Sequence, residues 1–543
     1  MRDGRRVSAG PNSTPVTGAE PAVPPTGGGR QAARSFRSTL GWTVVGAVLP
    51  GTAFLATGRR VLGACTLLLF LLLAGGGAWL ALGGGQRTAI RTALDTGALL
   101  WVLGGVAVVA LLWIAVVVAG YRMLLPAGVS RGRRVAGGLL VAVLVLCIAL
   151  PAVMAGQVAL AQRDLIAQVF DDGDSATVVD TPDPFGTKER VNVLLLGGDG
   201  GEGRDGVRTD TVIVASVDTD TGDTTLFSLP RNLEDLPFPE DSPLAEVYPD
   251  GFDAGSESES LLNAVYRNGP AEHPDILGPT DDPGADFLKL GVGEALGLTI
   301  DYYVLVNLEG FSRLVDALGG ITVNVNYYVP INGDPGTGEL PDDYIEPGPN
   351  QLLDGPRALD FARGRFGLTD YDRMARQRCT IDAIVDAADP GTVLRKYQEL
   401  AATTQDIVST DIPQSALDDF VELGFLVKDA EIRSVVFDNS VISPAYPDYD
   451  LIRNIVTLAL DPSTETDDTG DEPAGDEPAG GAVPGDDAVA GGPTDAPVGG
   501  VPTPSDEDLA ALVAPSDVRD ACAYDREAAG LALLAGKPPT ADD

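Results

Sequence analysis

Histidine is almost missing from this chain: His273 is the only one, and it stands in the proline-rich stretch GPAEHPDILGP. A Ser-His-Asp or Cys-His nucleophile would rest on that residue alone, and its surroundings read as a loop. Cysteine is scarce too, with four residues that show no metal-ligand spacing among themselves or with His273, which argues against a zinc site. Positive charge is also in short supply: 37 Lys and Arg face 78 Asp and Glu, a formal net charge of -41. So acidic a chain offers no general basic face for a phosphate backbone, so no nucleic acid is expected as a partner. The deficit is uneven, because from Asp461 onward 20 acidic residues stand against 3 basic ones.

Long uncharged runs are what the first third has in plenty. Residues 61–83, 98–120 and 135–160 are each apolar and free of charge, and each is long enough to cross a bilayer. A fourth run, 40–57, is shorter and broken by Pro50-Gly51. Arginines 30, 34 and 37 precede it, Arg59 and Arg60 follow it, and Arg122, Arg131, Arg133 and Arg134 lie between the last two spans. All three basic groups stay on the cytoplasmic side if 40–57 enters and returns as a re-entrant hairpin. Everything after residue 160 is then outside, which makes this a multi-pass protein of the cell membrane with an extracytoplasmic domain. The Pro-, Gly- and Ser-rich residues 1–38 read as a disordered cytoplasmic tail within which the basic group lies, 39–160 as the membrane region and 161–187 as a linker.

From Lys188 the pattern alternates between strand and helix, as expected of an α/β domain over 188–460. VNVLLLGGDG (191–200) is a buried strand opening into a glycine-rich loop, and TVIVASVD (211–218) with TTLFSLP (224–230) reads as a hairpin. Helical spacing covers 285–298, 309–320 and 371–388, and strands are expected at 301–308 and 321–330. Residues 461–505 read as an acidic disordered linker and 506–543 as a C-terminal tail. Cys65 and Cys147 fall in membrane spans, so Cys379 and Cys522 are the only exported pair. They are expected to form a disulfide that staples the tail to the domain, with two independent thiols as the alternative.

Against the acidic background, FARGRFGLTDYDRMARQR (361–378) concentrates five arginines. If 359–366 is extended, Arg363 and Arg365 share a face, and on the helix that follows Arg373, Arg376 and Gln377 converge, with Asp370 at the N-cap position. Guanidinium forks suit phosphate oxygens, and several together suit a pyrophosphate; a solvated basic surface is the other reading. Asp199 and Asp210 sit at strand ends beside Arg208 and Arg231, where two carboxylates can hold Mg2+ or serve merely as turn formers.

The segments LLLGGDG, VRTDTVIVASVD, LFSLPRN, LLNAVYRNG, YYVLVNLEGFSRLVDALGGITVNV and ALDFARGRFGLTDYDRMARQR together resemble the LytR-CpsA-Psr family, in its actinobacterial form, over roughly 190–390. The resemblance implies an exported αβα domain with a central mixed β-sheet behind a helical transmembrane region. It implies a phosphotransferase that moves an anionic glycopolymer from a polyprenyl-pyrophosphate carrier to peptidoglycan. Asp199 and Asp210 match the family's Mg2+ site, and Arg208 and Arg231 its pyrophosphate contacts. Arg363, Arg365, Asp370, Arg373 and Gln377 match the remaining catalytic set, and Arg376 fits the helix motif. Asp370 is a candidate base, and apolar faces such as FLKLGVGEALGL either enclose the lipid tail or form ordinary core. Two departures stand out: Asn232 replaces the family's acidic residue after Arg231, and the lysine usual near LLNAVY is absent. A polyprenyl-pyrophosphate hydrolase and a non-catalytic regulator that binds wall polymer are the alternatives.

Overall fold

The computed structural model describes residues 35–81, 92, 95–126, 128–170, 173–178, 184–199, 207–388, 408–460 and 515–541. The expected cytoplasmic tail up to residue 34, the acidic linker 461–505 and the stretch to 514 lie outside the described residues. The chain divides into two compact units, residues 1–75 with 108–151 and residues 76–107 with 152–543.

The N-terminal helices are α1 (Phe36–Val48), α2 (Thr52–Ala56), α3 (Arg60–Ala81), α4 (Thr96–Leu124) and α5 (Arg131–Val169). The last three contain stretches, Arg60–Trp79, Gly97–Leu124 and Arg131–Ala161, that are long and apolar enough to cross a membrane. Within the first unit, Leu68, Leu72 and Leu111 are 60%, 65% and 66% exposed, an outer surface suited to hydrocarbon rather than water. The Pro50-Gly51 break separates α1 from α2, and Gly51 takes φ 101°, a left-handed conformation that favours glycine. Small residues let the backbones approach: a Cβ on Gly46 would lie 2.9 Å from that of Ala53. Thr39 Oγ1 donates to the Leu124 carbonyl at 3.0 Å and Trp113 Nε1 to that of Ala47 at 2.9 Å, which satisfies polar groups where no water is expected.

The second unit carries the α/β domain. In chain order it runs β1 (Arg190–Gly198), β2 (Thr209–Asp218), β3 (Thr224–Leu229), α6 (Pro243–Val247), α7 (Glu257–Ser260), α8 (Leu262–Glu272), α9 (Pro283–Leu296), β4 (Tyr302–Asn307) and α10 (Leu308–Leu318). There follow β5 (Ile321–Val325), β6 (Val329–Ile331), β7 (Asp343–Ile345), β8 (Gly348–Leu353), α11 (Gly355–Arg363), α12 (Asp370–Ala387), β9 (Val408–Thr410), α13 (Leu417–Asp429), β10 (Ile432–Val436) and α14 (Tyr449–Leu460). After the undescribed stretch come β11 (Ser516–Asp517), α15 (Val518–Ala521) and α16 (Arg526–Ala535). The main sheet has seven strands in the order β11-β10-β3-β2-β1-β4-β9. It is mixed: β1 pairs antiparallel with β2 and parallel with β4, and β3 pairs parallel with β10.

Strand alternation divides the apolar residues between two faces. Leu194, Leu196, Val212 and Val214 point into the large core built with α8, α9 and α14. Leu195 and Ile213, which are register partners, point to the opposite face. The segment FLKLGVGEALGL, read as tail-enclosing or as core, is core: Phe287, Leu288, Val292, Ala295 and Leu296 are all buried in the large cluster. Lys289, itself 2% exposed, is ion-paired with Asp411 and donates to the Asp301 carbonyl at 3.0 Å, so this buried charge does not go unmet.

Two local expectations change. Residues 359–363 are not extended but complete α11, because Asp354 caps the helix by accepting from Arg357 N–H, Pro356 suits its first turn, and Ala358, Phe361 and Ala362 form its buried face. Arg363 therefore ends a helix and Arg365 lies in the turn after it. At the start of α12 the cap is Thr369, not Asp370: Thr369 and Asp372 form a reciprocal capping box, which leaves the Asp370 side chain available for other partners.

Cys379 and Cys522 are joined in a disulfide with Cα atoms 5.6 Å apart, while Cys65 and Cys147 are free. The C-terminal segment also adds β11 to the edge of the main sheet through β10.

Candidate active site

A cavity of about 810 Å³ opens beside the carboxyl end of β1. Its charged and polar lining includes Asp199, Asp210, Thr211, Arg363, Arg365, Arg373 and Gln377. Its apolar lining includes Leu195, Ile213, Val304, Phe311, Ile381 and Ile384.

The two linings are ordered along the elements. On α12 the cavity meets Arg373, Gln377, Ile381 and Ile384, at helical intervals of four, four and three, so one stripe passes from cationic to apolar over roughly 16 Å. On β1 and β2 the same order holds: Asp199 and Asp210 lie at the strand ends, and the paired Leu195 and Ile213 lie inward. A register shift at Gly197/Gly198 displaces the pairing there and brings Asp210 beside the turn carrying Asp199.

The charged end is a chain of alternating signs. Arg231 holds Asp210 Oδ1 from one terminal nitrogen at 2.8 Å and approaches Asp370 Oδ1 through Nε at 3.4 Å. Arg373 holds the other oxygen of Asp370 at 3.0 Å. Burial by itself would raise the Asp210 pKa, but the hydrogen bond and charge of Arg231, with help from Asn263 and Arg373, hold it below the ordinary carboxylate value. Its contribution to stability is accordingly complete above pH 3.8 and is lost as the pH falls through the lowered folded value. Burial pulls the Arg373 pKa down to about 10, opposed chiefly by Asp370, and the guanidinium stays charged at neutral pH. Arg373 is 3% exposed, yet its Nε–H has no hydrogen-bond partner among the described residues. A buried donor of this kind is costly unless a ligand completes it.

The remaining expected residues divide. Gln377 donates to Thr211 Oγ1 at 2.8 Å and bridges α12 to β2. Arg208 lies outside the cavity lining: its backbone N–H donates to Asp199 Oδ1 at 2.9 Å while its guanidinium is paired with Glu259 at 2.7 Å, and Arg267 takes the other Glu259 oxygen. Arg231 and Asp370 also stand behind the lining, with their charges directed at residues that do line it. Arg376 is turned away altogether. It is 4% exposed and donates to the carbonyls of Phe361 (2.7 Å) and Gly364 and to the Tyr327 hydroxyl (2.8 Å). It braces the turn between α11 and α12 rather than facing a ligand. Arg376→Ala is therefore expected to lower the unfolding free energy by about 3 kcal/mol, because two buried carbonyls lose charged donors. Arg376→Lys should not restore it, and an unchanged urea midpoint would show that the brace carries nothing.

Asn263 was not singled out from the sequence. It is 6% exposed, donates to Asp210 Oδ1 at 3.2 Å, and its backbone N–H holds the Arg231 carbonyl at 3.0 Å. Its signal was a lone amide inside the apolar run LLNAV. His273 ends α8, with its ring against Tyr248, and does not line the cavity.

The donor set at the charged end suits a hard cation. Asp199 and Asp210 both line the cavity, and each accepts a hydrogen bond through Oδ1. Two carboxylates completed by ligand phosphate is the usual protein share of a Mg2+ site, so the residues fit such an ion, although no group of three or more acidic, histidine or cysteine side chains gathers among the described residues.

The model of the LytR_cpsA_psr family matches residues 164–444. The polyisoprenyl-teichoic acid–peptidoglycan teichoic acid transferase TagU of Enterococcus faecalis is 32% identical over 41% of this chain and 62% of its own length. The cell wall biosynthesis protein LcpA of Corynebacterium glutamicum is 26% identical over 52% of this chain and 48% of its own. The chain thus spans roughly half to three fifths of the length of these relatives. Among solved structures, that of B. subtilis TagV covers 50% of this chain and 96% of its own, at 22% identity and a TM-score of 0.34. With a family model matched across more than half of its residues, the chain belongs to the LytR-CpsA-Psr family.

Proposed function

We propose that this protein is a membrane-anchored phosphotransferase that moves an anionic glycopolymer from a polyprenyl-pyrophosphate carrier to peptidoglycan. The observation that carries the reading is the ordered lining of the cavity: three elements each pass from charged to apolar in the same sense, which suits a ligand with an anionic head and a hydrocarbon tail. The names of the relatives agree with it, since the Enterococcus protein is named for a polyisoprenyl-linked donor and a peptidoglycan acceptor.

In this reading Arg373 and Arg365 receive the diphosphate, with Arg363 beside them. Their fixed positive charge is strongest where negative charge grows on the departing lipid phosphate, which lowers the barrier rather than merely tightening binding. Asp370, considered as a base, has both oxygens engaged by arginines, so it orients Arg231 and Arg373. Mg2+, held by Asp199 and Asp210, would neutralise phosphate charge and sharpen the acidity of an attacking sugar hydroxyl when bound. The apolar wall of Leu195, Ile213 and Ile384 excludes water from the tail, and the tether keeps enzyme and lipid on one surface. Arginine placement in the first third of the chain supports an extracytoplasmic domain.

Full-length protein in lipid nanodiscs, given labelled lipid-linked polymer and peptidoglycan, tests the reading. Label on peptidoglycan, abolished by EDTA and restored by Mg2+, is expected. Free polymer formed without acceptor would instead mark a hydrolase, and no turnover under any condition a binding protein.

A further inference from the structure

The C-terminal segment 515–541 reaches two walls of the cavity by separate bonds. Through Cys522 it is joined to Cys379, two residues after Gln377 and six after Arg373 on α12. At its other end Lys537 is ion-paired with Asp343, and Ala541 N–H donates to the Pro341 carbonyl at 2.9 Å. Pro341 and Asp343 flank Asp342, which lines the cavity together with Asn332, Gly333, Asp334, Pro335 and Glu339 of the β6–β7 hairpin. That loop is closed on itself: Asp334 N–H donates to the Glu339 carbonyl at 2.9 Å, and Gly333 (φ 80°) comes so near Pro341 that a Cβ would lie 2.9 Å from its nitrogen. At the disulfide end the segment is also held to β5 and the residue after it, where Asn324 and Asn326 donate to the carbonyls of Cys522 and Ala523 at 3.0 and 3.1 Å. Asn326 Oδ1 in turn accepts from Asp525 N–H at 2.9 Å. The charges it brings near one another are complementary, since the loop presents Asp334, Glu339 and Asp342 and the other wall presents Arg365 and Arg373.

We propose that residues 515–541 form a strap that ties α12 to the 332–342 loop and so sets the distance between the ligand-facing arginines and the acidic rim. The proposal rests on reading the cavity as a polyprenyl-diphosphate site. Cys522 and Lys537 are positioning residues and touch no ligand. With the disulfide open, α12 keeps its caps and its packing but loses its covalent tie to the strap that reaches the hairpin, and the rim and the arginines are free to separate.

The test uses full-length protein in nanodiscs with three variants, Cys522→Ser, Lys537→Ala and Lys537→Arg, and the Cys522→Ser/Lys537→Ala pair. Hydrogen exchange is read over 332–342 and 370–378, and affinity is measured with geranylgeranyl pyrophosphate as probe. Cys522→Ser is expected to raise exchange in both segments together by about tenfold, and Lys537→Ala should do the same in α12, although Lys537 contacts the other wall. The two changes should be strongly non-additive, and Lys537→Arg should behave as the parent. Probe affinity should fall about tenfold in step with exchange, with circular dichroism unchanged. Additive effects, or loosening confined to the wall each residue touches, overturn the strap. Failure of the parent protein to bind the probe overturns the reading of the cavity instead, and the exchange data still decide on the strap.

Discussion

Replacing Arg373 with alanine is expected to lower turnover of the lipid-linked substrate about a thousandfold, about 4 kcal/mol of transition-state stabilisation, while the protein remains folded. Two features set the size. The guanidinium is buried, so its charge acts through less water than a surface arginine's would, and its Nε–H is already desolvated and has no partner among the described residues. The cost of preparing this donor is met on folding, and its return comes only when phosphate arrives. Arg373→Ala leaves Asp370 its contact with Arg231, so the loss should fall on kcat more than on the unfolding midpoint. Arg373→Lys keeps one charge but not the fork, and should recover little. The pattern is the reverse of that expected for Arg376→Ala, three residues along the same helix, where stability falls first. Steady-state kinetics and urea unfolding on both variants separate the roles. Equal kinetic losses without any difference in stability would remove the distinction drawn here between a ligand-facing and a bracing arginine.

Ile384→Trp should weaken binding of a geranylgeranyl diphosphate about a hundredfold and leave geranyl diphosphate nearly unaffected. Ile384 lies on the apolar stretch of the α12 stripe, eleven residues beyond Arg373. An indole there occupies space that the distal part of a long tail would fill. Excluding one five-carbon isoprene unit forgoes about 4 kcal/mol at roughly 0.8 kcal/mol per buried carbon, of which the tail regains part by bending. A head-only contact is untouched, which is why the short diphosphate serves as control. Leu314→Trp, on α10 across the same cavity, should reproduce the effect and guards against a local packing fault in α12. Isothermal titration of both ligands checks it. Parallel losses for the two chain lengths would mean that the apolar lining is ordinary core with an accidental void.

Much of this was legible in the sequence, and the exceptions share a cause. Strand β1 announced itself through an apolar run that ends in glycine, β2 and β3 through β-rich runs on either side of TDTGD, and the helix 371–388 through its spacing. The extended reading of 359–366 failed because two arginines at an interval of two fit a strand as readily as a helix end. The capping Asp354 and the burial of Phe361 against the small β5–β8 layer decided otherwise. Thr369 was readable in principle, as the first residue of a T-x-x-D box, but Asp370 beside it is an equally good cap on composition alone. Which arginine of Arg373 and Arg376 faces the cavity was not readable, because three residues of helical spacing put both on neighbouring faces and only the packing of α11 assigns one inward. FLKLGVGEALGL stayed open between tail-enclosing wall and ordinary core for a similar reason, and the structure makes it core. Hydrophobicity marks burial, not what is buried against what.

The brace made by Arg376 has a consequence for how this chain can change. Its contacts on the turn are backbone carbonyls, at Phe361 and Gly364, so its grip is indifferent to the side chains the turn displays. Phe366 and Leu368 can then drift in size and polarity without releasing the frame, provided Gly367 keeps its φ of 73° and Arg365 keeps its place in the lining. A rim whose shape is held through its backbone while its lettering is open to revision lets this cavity be retuned by a handful of substitutions, with its charged end left intact.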